Sequence, residues 1–282
     1  MRQRAVEAAF RAACADELAA LKPGNVHVHA DGHRMVVDDF LRSAEVAAPA
    51  LCRAGARLGE RVLGAVSATQ AAVGQNTNLG IVLLCAPLAM AAEADGSDLR
   101  AAVQQVLRSA DLADADAVFR AIALAAPAGL GSAPSHDVRQ PATAPLSVAM
   151  AAAAHRDRIA WQWTNDFDDV FAIGATAFAQ AWPDPVWATL SVYLRFLAAF
   201  PDSHVQRIHG AAVAENTRLK AVALERDLQH CENPARLLPD LLAWDAALKA
   251  EGVNPGTSAD LTVATLFVQR LQNVLRASGN RC

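Results

Sequence analysis

Three of the chain's eight histidines fall in one short loop, His27, His29 and His33 of "LKPGNVHVHADGH". On a strand, a His-x-His spacing puts both rings on one face, where they could share a metal ion. A loop histidine can equally hydrogen-bond a ligand or stand in solvent. Lys22 precedes a Pro23-Gly24 turn, and its ammonium could pair with a phosphate as a point charge. The stretch therefore raises two chemistries, metal ligation and anion binding.

Four other polar stretches could carry chemistry. "GQNTNLG" (74–80) opens the apolar run "IVLLCAPLAM", so Asn76, Thr77 or Asn78 reads as a helix N-cap. The same helix end offers unpaired N–H groups to a phosphate. It lacks the GxxxxGK[ST] pattern of a Walker A loop. In "PDSHVQRIHG" (201–210), Asp202 or Ser203 can cap a helix, Asp202 could hold Mg²⁺, and Arg207 and His209 could face anionic groups. "NPGTSADLTVATLFVQRL" (254–271) repeats the Pro-Gly turn at Pro255-Gly256. Thr257 to Asp260 resembles a capping box there, and Leu261, Ala264, Val268 and Leu271 form one apolar face. His136 and Asp137 lie in a Pro-flanked loop, and Arg156, Asp157 and Arg158 read as an intrahelical charge cluster.

The elements that must position these residues are helical almost throughout, with Ala, Leu, Arg and Glu dominating and aromatics at 5%. The periodicity predicts helices near 3–20, 38–55, 57–73, 78–93, 99–109, 112–125, 141–160, 167–181, 184–199, 204–229, 234–250 and 258–276. Breaks fall at 22–36, 74–78, 94–98, 127–140, 182–185, 200–203 and 251–257, and none reads as a long linker. The expected fold is all-α, a single-domain multi-helix bundle over residues 1–282. In such a bundle polar groups gather at the helix ends.

Composition bounds the function. A hydrophobic fraction of 53% against 19% charged describes a globular chain, and a net charge of −4 argues against a broad nucleic-acid surface. Cys14, Cys52, Cys85, Cys231 and Cys282 are widely spaced, without a CxxC pair, which speaks against a zinc ribbon or disulfide scaffold and for a reducing, cytoplasmic setting. Asp16 and Glu17 interrupt the first apolar stretch, unlike a secretory signal, and no apolar run reaches the roughly 18 residues of a membrane span. A homodimer is the commonest assembly for such a chain.

In order along the chain, "KPGNV", "GH…DDFLRSA", "NTNLG", "HDV", "DSHVQRIHG" and "NPGTSADLTVATLF" resemble the triphosphoribosyl-dephospho-CoA synthase family over about residues 15–275. The resemblance implies an all-helical enzyme that moves the triphosphoribosyl group of ATP to a ribose hydroxyl of dephospho-CoA and releases adenine, with Mg²⁺ or another divalent metal. It places Lys22 on phosphate, with Asn25, His33 and Ser43 lining the pocket; of the loop histidines only His33 has a family counterpart, and His27 joins the binding set as a contact for the acceptor. Asn76, Thr77 and Asn78 sit at a phosphate-binding helix end. His136, Arg156, Ser203, Arg207, Asn254 and Ser258 complete the binding set. Asp38, Asp39, Asp202 and Asp260 become metal ligands, and Asp39, Asp137 and Asp202 the carboxylates for proton transfer.

The chain departs from the family at Asn78-Leu79, where the lyase-associated enzymes carry His-Lys. At a triphosphate site each lost charge-assisted contact is worth about 1.5–3 kcal/mol. The segment "AHRDRIAWQW" also differs. Both changes resemble a divergent branch of archaea and methylotrophic bacteria associated with tetrahydromethanopterin, whose biosynthesis needs a ribosyl transfer. Phosphoribosyl pyrophosphate then stands beside ATP as donor, with a coenzyme precursor as acceptor. A metal hydrolase built on the three histidines and a non-catalytic helical binding protein are the alternatives.

Overall fold

The computed structural model describes residues 2–33, 35–94 and 98–279, with side chains given through Ala277. Arg34 of the expected 22–36 break, residues 95–97 of the 94–98 break, and Cys282 lie outside the described residues. The helices are α1 (Arg2–Ala19), α2 (Val37–Leu51), α3 (Leu58–Val73), α4 (Leu79–Ala91), α5 (Leu99–Ser109), α6 (Leu112–Ala125), α7 (Leu146–Ala153), α8 (Arg158–Thr164), α9 (Ala175–Gln180), α10 (Pro185–Ala199), α11 (Ser203–His209), α12 (Ala211–His230), α13 (Leu238–Ala250) and α14 (Gly256–Gly279). A π-helical turn (Asp169–Gly174) leads into α9 and a 3-10 turn (Pro234–Leu237) into α13. Among the described residues there is no strand, only isolated bridges His27–Ala30 and Gly32–Met35 that close two tight turns. The fold is all-α.

Three expected helices differ in detail. The 141–160 segment is two helices, because Asp157 accepts from the Ile159 and Ala160 amides at 2.9 and 3.1 Å and starts α8. The charge cluster expected at 156–158 is therefore not intrahelical: Arg156 is exposed ahead of α8, and the Arg158 guanidinium lies 3.7 Å from the Trp161 ring centroid. The 204–229 segment breaks at Gly210, whose φ of 88° ends α11 before α12 begins. Residues 169–174 take the wider π turn, with Gly174 against Thr265; a Cβ there would collide with Thr265 Oγ1.

The described residues divide into two compact units. The first comprises the chain up to Cys14, Asp39–Asp168 and the residues from Phe267 on; the second comprises Ala15–Asp38 and Asp169–Leu266. In the first unit α4 is apolar on every side and packs against α3, α5 and α8, while α3 lies along α6. Gly59 permits that last approach, since a Cβ would sit 2.8 Å from Asp114 backbone and Ala117. In the second unit α10 is the hub, packed by α9, α12 and the π turn. Its Leu190, Tyr193, Leu194 and Leu197 join Leu224, Leu228 and Leu241 in one apolar cluster. Each such leucine contributes about 1.5–3 kcal/mol of burial.

The α14 face expected from Leu261, Ala264, Val268 and Leu271 is fully buried. So are Thr262 and Thr265, whose hydroxyls donate back to the Ser258 and Leu261 carbonyls at 2.8 and 2.9 Å, so the helix is not amphipathic there.

Candidate active site

In the second unit the two Pro-Gly turns pack on each other. Gly24 has a φ of 83°, and a Cβ on it would meet Pro255 Cδ at 2.8 Å and the Val253 carbonyl at 2.9 Å. Only glycine satisfies both the turn and this approach. Asn25 donates to Asn254 Oδ1 at 2.7 Å, joining the same turns through their asparagines. Tyr193, the chain's single tyrosine, donates to the Pro23 carbonyl at 2.7 Å.

Lys22 is fully buried beneath this turn. Its ammonium faces Glu17 Oε1 at 2.9 Å, the Val26 carbonyl at 2.5 Å and Asn25 Oδ1 at 3.3 Å. Three donors meet three acceptors, so Lys22 folds the turn and has no proton left for the phosphate contact expected of it. Burial pushes the Glu17 carboxyl up and the Lys22 ammonium down, and each partner's charge opposes the other's shift.

Beside the pair lies a second buried group. Asp245 of α13 accepts from the Gly24 amide at 2.8 Å through Oδ1, and its Oδ2 faces Lys249 Nζ at 3.0 Å and His27 Nε2 at 3.3 Å. His27 Nδ1 accepts from the His29 amide at 3.2 Å, so its proton is on Nε2 and goes to Asp245. Lys249 also donates to the Ala30 carbonyl at 3.0 Å. His27 is thus fully partnered inside the protein. The three loop histidines do not converge, and among the described residues no three His, Cys, Asp or Glu side chains could hold a metal ion.

Asp202 is equally committed. Oδ1 accepts from the His204 and Val205 amides at 2.9 and 3.1 Å, capping α11. Oδ2 accepts from the Ser258 amide and hydroxyl, both at 2.8 Å, at the start of α14. Four donors fill the carboxylate, which ties two helix starts together instead of offering a base or a metal ligand. The capping box expected at 257–260 is replaced by this arrangement. The Thr257 hydroxyl lies 3.0 Å from the Ser203 hydroxyl and accepts from the His204 amide at 3.2 Å.

Above these buried groups is a partly exposed basic rim of His33, His204, Arg207 and His209. His33 donates from Nε2 to the Gly24 carbonyl at 2.7 Å, in the left-handed region at a φ of 56°. Arg207 donates to His204 Nδ1 at 3.2 Å, and His209 donates from Nε2 to the Gly252 carbonyl at 3.1 Å. Burial holds the His204 imidazole below its ordinary range. Positive charge on Arg207, His33 and His209 adds to that shift, and Asp202 opposes it. The Arg207 charge beside three imidazoles suits an anion.

The first unit holds the other predicted set. Ser43 of α2 donates to the Asp39 carbonyl at 2.6 Å and lies 2.5 Å from the Thr77 hydroxyl. Gln75 donates to Asp39 Oδ2 at 3.2 Å, and Asn76 Oδ1 accepts from the Leu79 amide at 3.1 Å, which caps α4. Asn78 is turned inward, donating to Thr69 at 2.9 Å. Asp137 closes its own loop, accepting from the Ala133 and Arg139 amides at 3.1 and 3.0 Å; these backbone bonds hold its carboxyl below the usual range. His136 stands beside it at a φ of 54°.

The sequence profile of the CitG family, ATP:dephospho-CoA triphosphoribosyl transferase, matches residues 3–278. The chain belongs to this family. It is also similar to a crystal structure from Archaeoglobus fulgidus described as a candidate triphosphoribosyl-dephospho-CoA synthase, with 26% identity and a TM-score of 0.64, over 82% of this chain and 96% of that one. No curated protein sequence matches. The protein is therefore a transferase of the phosphoribosyl type.

For a triphosphoribosyl transferase, the sequence selects residue types well and their duties less well. Lys22, Asn25, Asn254, Asp202, Ser203 and Ser258 do assemble in the second unit, as Asp39, Ser43, Asn76 and Thr77 do in the first. Asp38 is exposed and Asp260 half-buried. Glu17, Asp245, Lys249, Tyr193 and His204 escape the sequence reading. The lone tyrosine and the Asp245/Lys249 i,i+4 pair in a mostly apolar helix are the signals that point to them.

Proposed function

We propose that this protein transfers the triphosphoribosyl group of ATP to a hydroxyl of dephospho-CoA or a closely related coenzyme precursor, releasing adenine. The observation that carries this reading is the basic rim of His33, His204, Arg207 and His209 over the paired Pro-Gly turns. Loss of the base from ribose C1 passes through an oxocarbenium-like state, as in glycoside cleavage. The chain's part is to hold the phosphates still and to take a proton from the attacking hydroxyl. The side chains present fit magnesium carried in by substrate phosphates with one or two carboxylates, not an all-protein cage. One of the carboxylates Asp38, Asp39 or Asp260 would hold it, and it would offset phosphate charge. Cys14, Cys52, Cys85 and Cys231 hold thiols and form no disulfide, which fits a cytoplasmic setting, and no described helix is long and apolar enough to cross a membrane.

A second reading keeps the chemistry and changes the substrates: phosphoribosyl pyrophosphate as donor and a tetrahydromethanopterin precursor as acceptor. The inward Asn78 and buried Leu79 favour it, because that helix start brings no positive charge to a triphosphate. Incubation with Mg²⁺ and each donor–acceptor pair separates the two. Adenine released only with ATP and dephospho-CoA supports the first, and pyrophosphate released from phosphoribosyl pyrophosphate supports the second. Neither product with any pair would remove both.

A further inference from the structure

The carboxylates named for proton transfer are occupied to different degrees. Asp202 accepts four hydrogen bonds, and both oxygens of Asp137 close its own loop. Asp39 accepts from Gln75. A histidine in the rim is built differently. The Gly24 carbonyl can only accept, so its 2.7 Å bond to His33 fixes the proton on Nε2 and leaves Nδ1 as an acceptor. Among the described residues Nδ1 has no partner.

The support beneath this bond is rigid. Gly24 is held through its amide by Asp245 and against Pro255, and the neighbouring Pro23 carbonyl is held by Tyr193. His33 itself sits at a φ of 56°, a conformation an L-residue keeps only when its surroundings impose it. The adjacent His204 has the opposite polarity. Arg207 is a donor only, so His204 Nδ1 accepts from it and the neutral ring carries its proton on Nε2. One rim thus presents an imidazole acceptor beside an imidazole donor and a guanidinium, the set a hydroxyl attack on a polyphosphorylated sugar requires.

We propose that His33 is the general base of the transfer. This rests on the reading of the protein as an ATP-dependent triphosphoribosyl transferase. His33 Nδ1 takes the proton of the acceptor hydroxyl while that oxygen bonds to ribose C1. The C1–N9 bond of ATP breaks, and its electron pair leaves with adenine. Adenine takes up one proton, and the imidazolium gives one back to solvent, so the ring returns to its starting form.

The test compares wild type with His33→Asn and His33→Gly, both at ease at positive φ. Adenine release from ATP with dephospho-CoA and Mg²⁺ is followed from pH 5 to 9, and ATP binding by calorimetry. His33→Asn is expected to lower kcat by about 10²–10⁴-fold, well beyond the loss of ATP affinity that removing one rim side chain brings. The acid limb of the kcat/KM profile should vanish in His33→Asn, and free imidazole should restore part of the activity of His33→Gly. A His33→Asn enzyme with kcat within about threefold of wild type and the same acid limb overturns the assignment. A wild-type protein that releases no adenine fails at an earlier step, ending the transferase reading on ATP and the assignment with it.

Discussion

Two polar regions of the second unit lie a few side chains apart and have opposite character. The inner one, with Glu17, Lys22, His27, Asp202 and Asp245, is buried, and its donors and acceptors are matched within the protein. The rim, with His33, His204 and Arg207, is partly exposed and leaves imidazole nitrogens over. The two are linked at Gly24, whose amide belongs to the inner region and whose carbonyl fixes His33. Residue type does not separate the two regions; spare hydrogen-bonding capacity does.

The His33 variants test the rim most severely. The largest effect on stability should come from Lys22→Met, which leaves the Glu17 carboxylate buried without its counter-charge. Breaking a buried pair from one side costs about 3–5 kcal/mol, read from urea unfolding. Pairing it with Glu17→Leu should recover much of that loss, since a buried ion pair is worth little more than the apolar groups that replace it. A Lys22→Met protein of normal stability with a raised KM for ATP would instead put Lys22 on the phosphate and erase the contrast.

Asp202→Ala should rank next, at about 2–3 kcal/mol, because it uncaps α11 and strands the Ser258 amide and hydroxyl. The magnesium concentration giving half-maximal activity should not move. A shift in that midpoint at unchanged stability would make Asp202 a metal ligand.

The sequence reads the fold almost to its boundaries, because alanine- and leucine-rich 3.6-residue periodicity is a local signal. It misses the breaks at Asp157 and Gly210, where one cap or one positive φ decides the outcome. The candidate site is legible as composition: the two Pro-Gly loops, Asp202 and the histidines stand out. What cannot be read is which face inward. Lys22 looks like a phosphate ligand until Glu17, five residues earlier on α1, takes its charge. Asp245 and Lys249 reach the first loop from more than 200 positions away, and no local pattern encodes that.

At the rim, Arg207→Gln removes a charge without opening the interior. The KM for ATP should rise about 10- to 100-fold, the worth of one or two charge-assisted hydrogen bonds. Stability should stay within about 1 kcal/mol of wild type. A loss of folding with unaltered KM would move Arg207 into the inner region.

The smallest effect is the dependence of stability on pH. Burial holds the His27 imidazole below its ordinary value of 6.5; the Lys249 and Lys22 charges add to this, and Asp245 opposes it. His204 is also lowered from 6.5, again chiefly by burial. Both rings are neutral in the folded protein at pH values where the unfolded chain has begun to bind protons. Stability is therefore full above 6.5 and falls as pH drops toward the folded pKa values. Asp245 acts in the same direction further down. Burial pushes its carboxyl up, but hydrogen bonds from His27, the Gly24 amide and Lys249 hold it below 3.8, so its contribution fades only in stronger acid. Between about pH 7.5 and 5.5, wild type should lose on the order of 1 kcal/mol more than His27→Gln, whose amide can still donate to Asp245 but does not titrate. Equal losses in the two proteins would mean that His27 takes up its proton without unfolding. The imidazole would then be accessible like those of the rim, and the boundary between the two regions would have to be drawn below it.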